Sequence, residues 1–262
     1  MPEDYRAPLS GEGQYVGTFR VEDPASHARS AFIDALQRQG ISLSVAPVAP
    51  NPRDHLPQLP YQEAHRVAQF QSTPYNQDAR LVLKVSLNLG ANLALSLLGL
   101  QQGQRTLEGA LAAERRLLID EVGLIPEQFY FPTNGSGSPD SEASPRALVT
   151  FLRYIAQSEV AKDFRNSLPI LGVDGSLATS GVNLPGRGHV FAKTGTTLSP
   201  DEQGQFQLKA QNLAGYIDTR SGRRLAFALM VNNAGPVNDL ARDVGEVFED
   251  EAIITSLLYE SF

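Results

Sequence analysis

The chain contains no cysteine at all, and only four histidines among its 262 residues. Without cysteine, neither a disulfide framework nor a thiolate metal site can form, and the redox compartment is left open. The histidines, His27, His55, His65 and His189, stand at no metal-ligand spacing from one another or from nearby carboxylates, so neither a metal nor a cofactor is expected. Positive charge is also scarce. Lysine and arginine number 22 against 29 aspartates and glutamates, a formal net charge of -7, and the lysines (Lys84, Lys162, Lys193 and Lys209) are scattered. That leaves no basic footprint for nucleic acid. An unbroken apolar run is missing as well: residues 81–100 come nearest, but Lys84, Asn88 and Asn92 interrupt them. Such groups are costly in a bilayer, so the segment reads as a buried helix and no membrane span is expected. Residues 1–8 show no basic stretch leading into an apolar one, so an export signal, if there is one, is expected upstream of this sequence.

What is present, 42% hydrophobic and 19% charged residues, suits a globular protein with one sizeable core. Gln14 to Val21 alternates and is rich in strand formers, and Asp23-Pro24 then opens a helix expected to run to about Gln39, where Gly40 stops it. Ile41 to Val45 fits a short strand. Five prolines between residues 46 and 60 exclude helix and central strand there, and the division between two modules is placed near residue 55. Beyond it, helix is expected from Gln77 to Leu100, broken around Ser86 to Gly90, and again from Thr106 to Val122. Asn134 to Pro145 has loop chemistry, with Ser144-Pro145 as cap and first position of a further helix. His189 to Thr194 reads as a strand. Gln205 to Asp218 and Arg223 to Asn232 read as two more, joined by a hairpin at residues 219–222, and Asp239 to Tyr259 closes the chain as helix.

Two short elements carry chemistry. Lys193-Thr194-Gly195-Thr196 puts a cation, a hydroxyl and a glycine at the end of an apolar strand, a set suited to a substrate carboxylate beside an acyl carbon. Taken alone, the tripeptide also fits an exposed strand end followed by a turn. Ser86 and Asn88 lie two apart in an otherwise apolar stretch. On a regular helix they would not share a face, so if both serve one cleft the chain must turn locally between them. The bland alternative is a helix whose Ser and Asn bond to nearby backbone.

Together and in this order, Ser86-Leu87-Asn88 and Lys193-Thr194-Gly195 resemble the S-x-N and K-T-G motifs of the DacB-like class C penicillin-binding proteins, D-alanyl-D-alanine carboxypeptidases/endopeptidases. Leu168 to Leu177 resembles that family's L-P-x-x-G-x-D-G-S/T-L stretch, and Asn212 to Tyr216 its N-L-A-G-Y/F strand. The likeness covers roughly residues 15–260. In two places it departs. Asn134 to Ser138 is one residue short of the family's D-G-S-G-L-S loop. The S-x-x-K nucleophile motif is missing, because the residues three before the lysines are Leu81, Glu159, Val190 and Phe206.

The resemblance implies an α+β fold, an antiparallel sheet flanked by helices with a helical lobe, of the penicillin-binding protein/β-lactamase-like type and incomplete. Residues 1–55 would be the remnant of an accessory module and 56–262 the C-terminal part of the peptidase domain. It further implies a serine-type acyl-enzyme mechanism on peptidoglycan stem peptides in the periplasm or extracytoplasmic envelope, with β-lactams trapping the intact protein. Ser86 would relay a proton, Asn88 would bind the substrate amide, and Lys193 and Thr194 would hold the terminal carboxylate. Gly195 would keep the strand clear of the substrate, and the Thr196 N–H would give half of an oxyanion hole. The nucleophile would arrive on a companion N-terminal segment, and this chain alone is expected to be inactive. A catalytically silent peptidoglycan- or partner-binding homologue is the alternative. A β-lactamase is a third reading, disfavoured by the Leu168 to Leu177 match.

Overall fold

The computed structural model describes residues 21–49, 62–134 and 139–262. The chain divides into two compact units, Met1–Phe70 and Gln71–Phe262. All of the expected strand at Gln14 to Val21 except its last residue falls outside the described residues, as do the loop glycines Gly135 and Gly137 and residues 50–61, where the sequence places the module division.

In the first unit, α1 (Pro24–Arg38) starts where the sequence predicts: the Asp23 carboxylate accepts the Ser26 N–H at 3.0 Å, with proline at the first helical position. The strand expected at Ile41 to Val45 does not form. Among the described residues no strand pairs with it; instead, the Ser30 hydroxyl donates to the Pro47 carbonyl at 2.9 Å and Arg29 donates to that of Ala46, tying the segment to the helix as irregular backbone.

The second unit sets helices around a three-stranded antiparallel sheet and carries a separate two-stranded ladder. The helical stretch expected from Gln77 to Leu100, with a break around Ser86 to Gly90, forms two helices, α2 (Tyr75–Val85) and α3 (Asn88–Gln101), parted at Ser86-Leu87. Then come α4 (Leu107–Asp120), capped by the Thr106 hydroxyl, a two-residue ladder of β1 (Phe129–Tyr130) with β2 (Glu142–Ala143), and α5 (Pro145–Ala156), capped by Ser144. The seven-residue α6 (Ala161–Ser167) has no counterpart in the sequence reading, being too short for its periodicity to register. The sheet orders β3 (Val190–Pro200), β4 (Phe206–Asp218) and β5 (Arg224–Pro236) by sequence, and α7 (Leu240–Ser261) closes the chain.

Strand alternation divides the core. On one face, Val190 and Ala192 of β3, Leu213 and Ile217 of β4 and Phe227 of β5 pack with Leu171, Leu177 and Ala252 of α7. On the other, Phe191 and Tyr216 pack with Leu152 of α5 and Leu168, and Leu83 of α2 reaches the same cluster. Burial pushes the Tyr216 phenol up to about 12, and its hydroxyl donates to the Leu152 carbonyl at 2.6 Å. The register matches Lys193 with Ala214 and Ala192 with Gly215. A Cβ on Gly215 would come within 2.0 Å of the Phe191 carbonyl oxygen, so the close approach of β3 and β4 requires glycine there.

Candidate active site

The helix break and the strand meet. Ser86 ends α2 in the left-handed region (φ 56°, ψ 47°), a conformation that costs a side-chain-bearing residue free energy and recurs where a site needs it. The local turn required if Ser86 and Asn88 are to serve one cleft is therefore present. Lys193, on the face of β3 opposite α7, donates from Nζ to Ser86 Oγ at 2.6 Å and to the Thr194 carbonyl at 2.7 Å. Burial disfavours its ammonium and pushes the Lys193 amine down to about 8. Asn88 opens α3 with an exposed side chain, and no hydrogen bond joins it to Ser86 or Lys193.

Thr194 and Thr196 point to the α7 side of the sheet. The Thr194 and Ser176 hydroxyls lie 3.0 Å apart, and the Thr196 hydroxyl donates to Gln211 Oε1 at 2.6 Å. Gly195 is exposed, and a Cβ built on it would find nothing nearer than Asn212 at 4.0 Å. The edge of β3 that β4 does not pair is the one along which the Ala192 N–H donates to the Pro169 carbonyl at 2.9 Å. Alternation directs the N–H groups of Thr194 and Thr196 to that same edge.

Several neighbours were not singled out as site residues from the sequence. Lys84, 11% exposed in its side chain, reaches both Asp174 oxygens at 2.6 and 2.7 Å and the Leu168 carbonyl at 2.6 Å. Asp174 Oδ1 also accepts the Ile170 N–H at 2.9 Å. The turn that follows fits against the end of α2 because Gly175 (φ +61°) has no Cβ; one would meet the Lys84 carbonyl oxygen at 2.7 Å. The ion pair and the turn thus hold Ser176 beside Thr194 and fix the helix end from which Ser86 projects. The pairing joins residues 90 apart in sequence, which no local pattern discloses. Behind Thr196, Gln211 Nε2 donates to Glu251 Oε2 at 3.2 Å, and both residues are buried. The signal for Glu251 lies in helical spacing: with Val244, Phe248, Ala252 and Thr255 it falls on the core-facing side of α7.

His189 stacks on Tyr259, their ring centroids 4.6 Å apart. Among the described residues, no group of three or more His, Asp or Glu side chains converges as a metal site would. A separate groove lined by Gly123, Leu124, Pro145, Arg146, Val149 and Arg153 brings together no acid, base or nucleophile pair.

A lysine-bearing sheet strand facing a serine at a helix break sits on a fold shared with penicillin-binding proteins. Penicillin-binding protein 4 (DacB) from Haemophilus influenzae, solved in complex with a β-lactam, superposes with a TM-score of 0.68 at 21% identity, over 92% of this chain and 53% of that one. A predatory endopeptidase of Bdellovibrio bacteriovorus, in complex with an immunity protein, gives 0.55 at 19% identity, over 76% and 48%. The chain belongs to the D-Ala-D-Ala carboxypeptidase 3 (S13) family, which matches residues 8–251. Among curated relatives, D-alanyl-D-alanine carboxypeptidase DacB of Haemophilus influenzae is 24% identical over 220 residues, 82% of this chain and 42% of the relative. The chain therefore spans less than half of that relative's length.

Proposed function

We propose that this chain supplies the carboxylate-recognition and proton-relay side of a serine-type D-alanyl-D-alanine carboxypeptidase/endopeptidase acting on peptidoglycan stem peptides in the extracytoplasmic envelope. The observation that carries the reading is the 2.6 Å hydrogen bond from Lys193 to Ser86, which joins the two motif elements into one surface. Lys193, whose amine is pushed down to about 8, is still mostly ammonium at neutral pH. A substrate carboxylate beside it would offset its lost hydration, and the Thr194 hydroxyl adds a donor. The outward N–H of Thr196 suits an oxyanion developing on the acyl carbon. Ser86, already bonded to the ammonium, has its remaining hydroxyl capacity free to pass a proton to the leaving amine. In this reading Asn88, exposed one step beyond the break, binds the substrate's amide.

Acylation needs a nucleophile, and no lysine here has serine three residues before it. In this reading an S-x-x-K serine comes from a polypeptide segment outside this sequence, attacks the penultimate D-Ala carbonyl and forms the acyl-enzyme that water hydrolyses. Consistent with a covering segment, Leu89, Leu93 and Leu97 recur every fourth residue along α3 and are 74%, 59% and 43% exposed. Labelling with fluorescent penicillin decides the matter. The intact natural polypeptide that contains this sequence should take up label that prior unlabelled penicillin blocks, and this chain alone should not. An intact protein that takes no label would leave the silent homologue as the reading.

A further inference from the structure

The buried carboxyl of Glu251 is part of none of the steps above, yet it ends a chain of side chains that begins at the candidate site. Glu251 is 1% exposed and Gln211 is fully buried. From the strand edge inward, the Thr196 hydroxyl donates to Gln211 Oε1 at 2.6 Å and Gln211 Nε2 donates to Glu251 Oε2 at 3.2 Å. Glu251 Oε1 is buried and has no hydrogen-bond partner. Among the described residues no charged group compensates it: β4 presents Gln211, and Lys193 lies on the other face of the sheet. On its own helix, the Glu249 carboxylate is taken up by the Gly181 N–H at 3.0 Å, and the Thr255 hydroxyl donates to backbone carbonyls.

A primary amide has a donor end and an acceptor end, so it transmits polarity. While Glu251 only accepts, Gln211 must turn its NH2 toward it and its carbonyl toward Thr196. The Thr196 hydroxyl is then committed inward as a donor. A protonated Glu251 carries an O–H, which on the partnerless Oε1 would lack an acceptor, so the proton belongs on Oε2, the oxygen that faces Gln211. Turning the Gln211 amide by half a rotation then presents its carbonyl to that O–H. The NH2 then faces Thr196, whose oxygen accepts it while its proton becomes free to donate at the strand edge.

We infer that Glu251 is a positioning residue for Thr196, acting through Gln211, and that its protonation sets whether the Thr196 hydroxyl donates into the protein or out at the edge of β3. The inference deepens the proposed carboxylate-recognition role of residues 193–196 and rests on that reading for its consequence, though not for the coupling itself. Burial pushes the Glu251 carboxyl up to about 7, which puts the transition within ordinary working conditions.

The experiment is an NMR titration of the isotopically labelled chain from about pH 5.5 to 8.5, a range that brackets the shifted carboxyl. The signals followed are the Glu251 carboxyl carbon, the Gln211 side-chain amide and the Thr196 backbone amide. All three should move with one common midpoint in the wild type, and the latter two should lose that titration in E251Q. A Thr196 signal that stays flat while Glu251 titrates overturns the inference, as does one that titrates unchanged in E251Q. The wild-type coincidence decides even if E251Q fails to fold. T196V, which removes the hydroxyl, should leave the Glu251 midpoint in place. Adding diacetyl-L-lysyl-D-alanyl-D-alanine separates the two readings. If the peptide binds, its affinity should follow the same midpoint in the wild type and not in E251Q. A peptide that leaves Lys193 and Thr196 unperturbed at every pH counts against the carboxylate-recognition reading alone, since the three-signal titration judges the coupling.

Discussion

Lys193 and Ser86 lie 107 residues apart in sequence and meet through a 2.6 Å hydrogen bond, the lysine on a sheet strand and the serine at the left-handed end of a helix. The contact depends on backbone geometry that serine adopts at a cost. That cost is separable from the hydrogen bond. S86A keeps the unfavourable φ and loses the hydroxyl, whereas S86G also loses the hydroxyl but relieves the φ. S86G should therefore be more stable than S86A by about 1 kcal/mol, read from urea midpoints. Equal midpoints would mean that the left-handed turn stores no strain.

Burial makes Lys193 a pH reporter. Its amine is pushed down to about 8 by burial, against an ordinary value of 10.5. Between these values the unfolded chain holds the proton and the folded chain does not, so the Lys193 contribution to stability rises with pH across that window and is lowest below it. K193M removes the titration. The stability difference between K193M and wild type should be largest, in favour of the variant, at pH 7, and should shrink as pH rises from about 8 to 10.5. Denaturant midpoints across that range check it. K193M should also abolish binding of a D-Ala-D-Ala peptide.

Much of this surface was legible because its chemistry is written in contiguous residues. Lys193 to Thr196 lie on one strand, and the Ser86-Leu87-Asn88 step announces its own break by setting two polar groups on different helix faces. The sheet was legible from strand alternation and the hairpin at residues 219–222, α1 and α5 from their start signals Asp23-Pro24 and Ser144-Pro145, and α4 from its helical periodicity. The supports of the site were not legible. Lys84 finds Asp174 and Gln211 finds Glu251 only once the chain has folded, since the pairs lie 90 and 40 residues apart. Ile41 to Val45 shows the converse failure: its strand-forming residues are irregular, and among the described residues no strand pairs with them.

The Lys84–Asp174 pair is predicted to matter more to one partner than to the other. Lys84 is 11% exposed in its side chain and Asp174 34%. D174N leaves a buried ammonium with weaker acceptors and should cost about 3 kcal/mol, whereas K84M leaves a carboxylate that water still reaches and should cost less. Because the ion pair anchors the turn at Gly175, D174N should also separate Ser176 from Thr194, visible as a shift of the Thr194 amide. A D174N protein as stable as wild type would show that the pair contributes nothing to holding the turn.

Glu251 should give the chain an unusual dependence of stability on pH. Its carboxyl is raised from an ordinary 4.5 to about 7 because burial disfavours the anion. Between those values the folded state keeps a proton that the unfolded state has released. The contribution is therefore fully present below about pH 4.5, falls as pH rises, and is lost above about 7. A shift of that size corresponds to a change on the order of 3 kcal/mol. E251Q retains the shape and the amide contact but has nothing to titrate. The difference in urea midpoint between E251Q and wild type should therefore open in the variant's favour from about pH 5 to 7 and then level off. A difference that stays constant across this range would mean that Glu251 titrates as an ordinary carboxylate, its burial relieved by water.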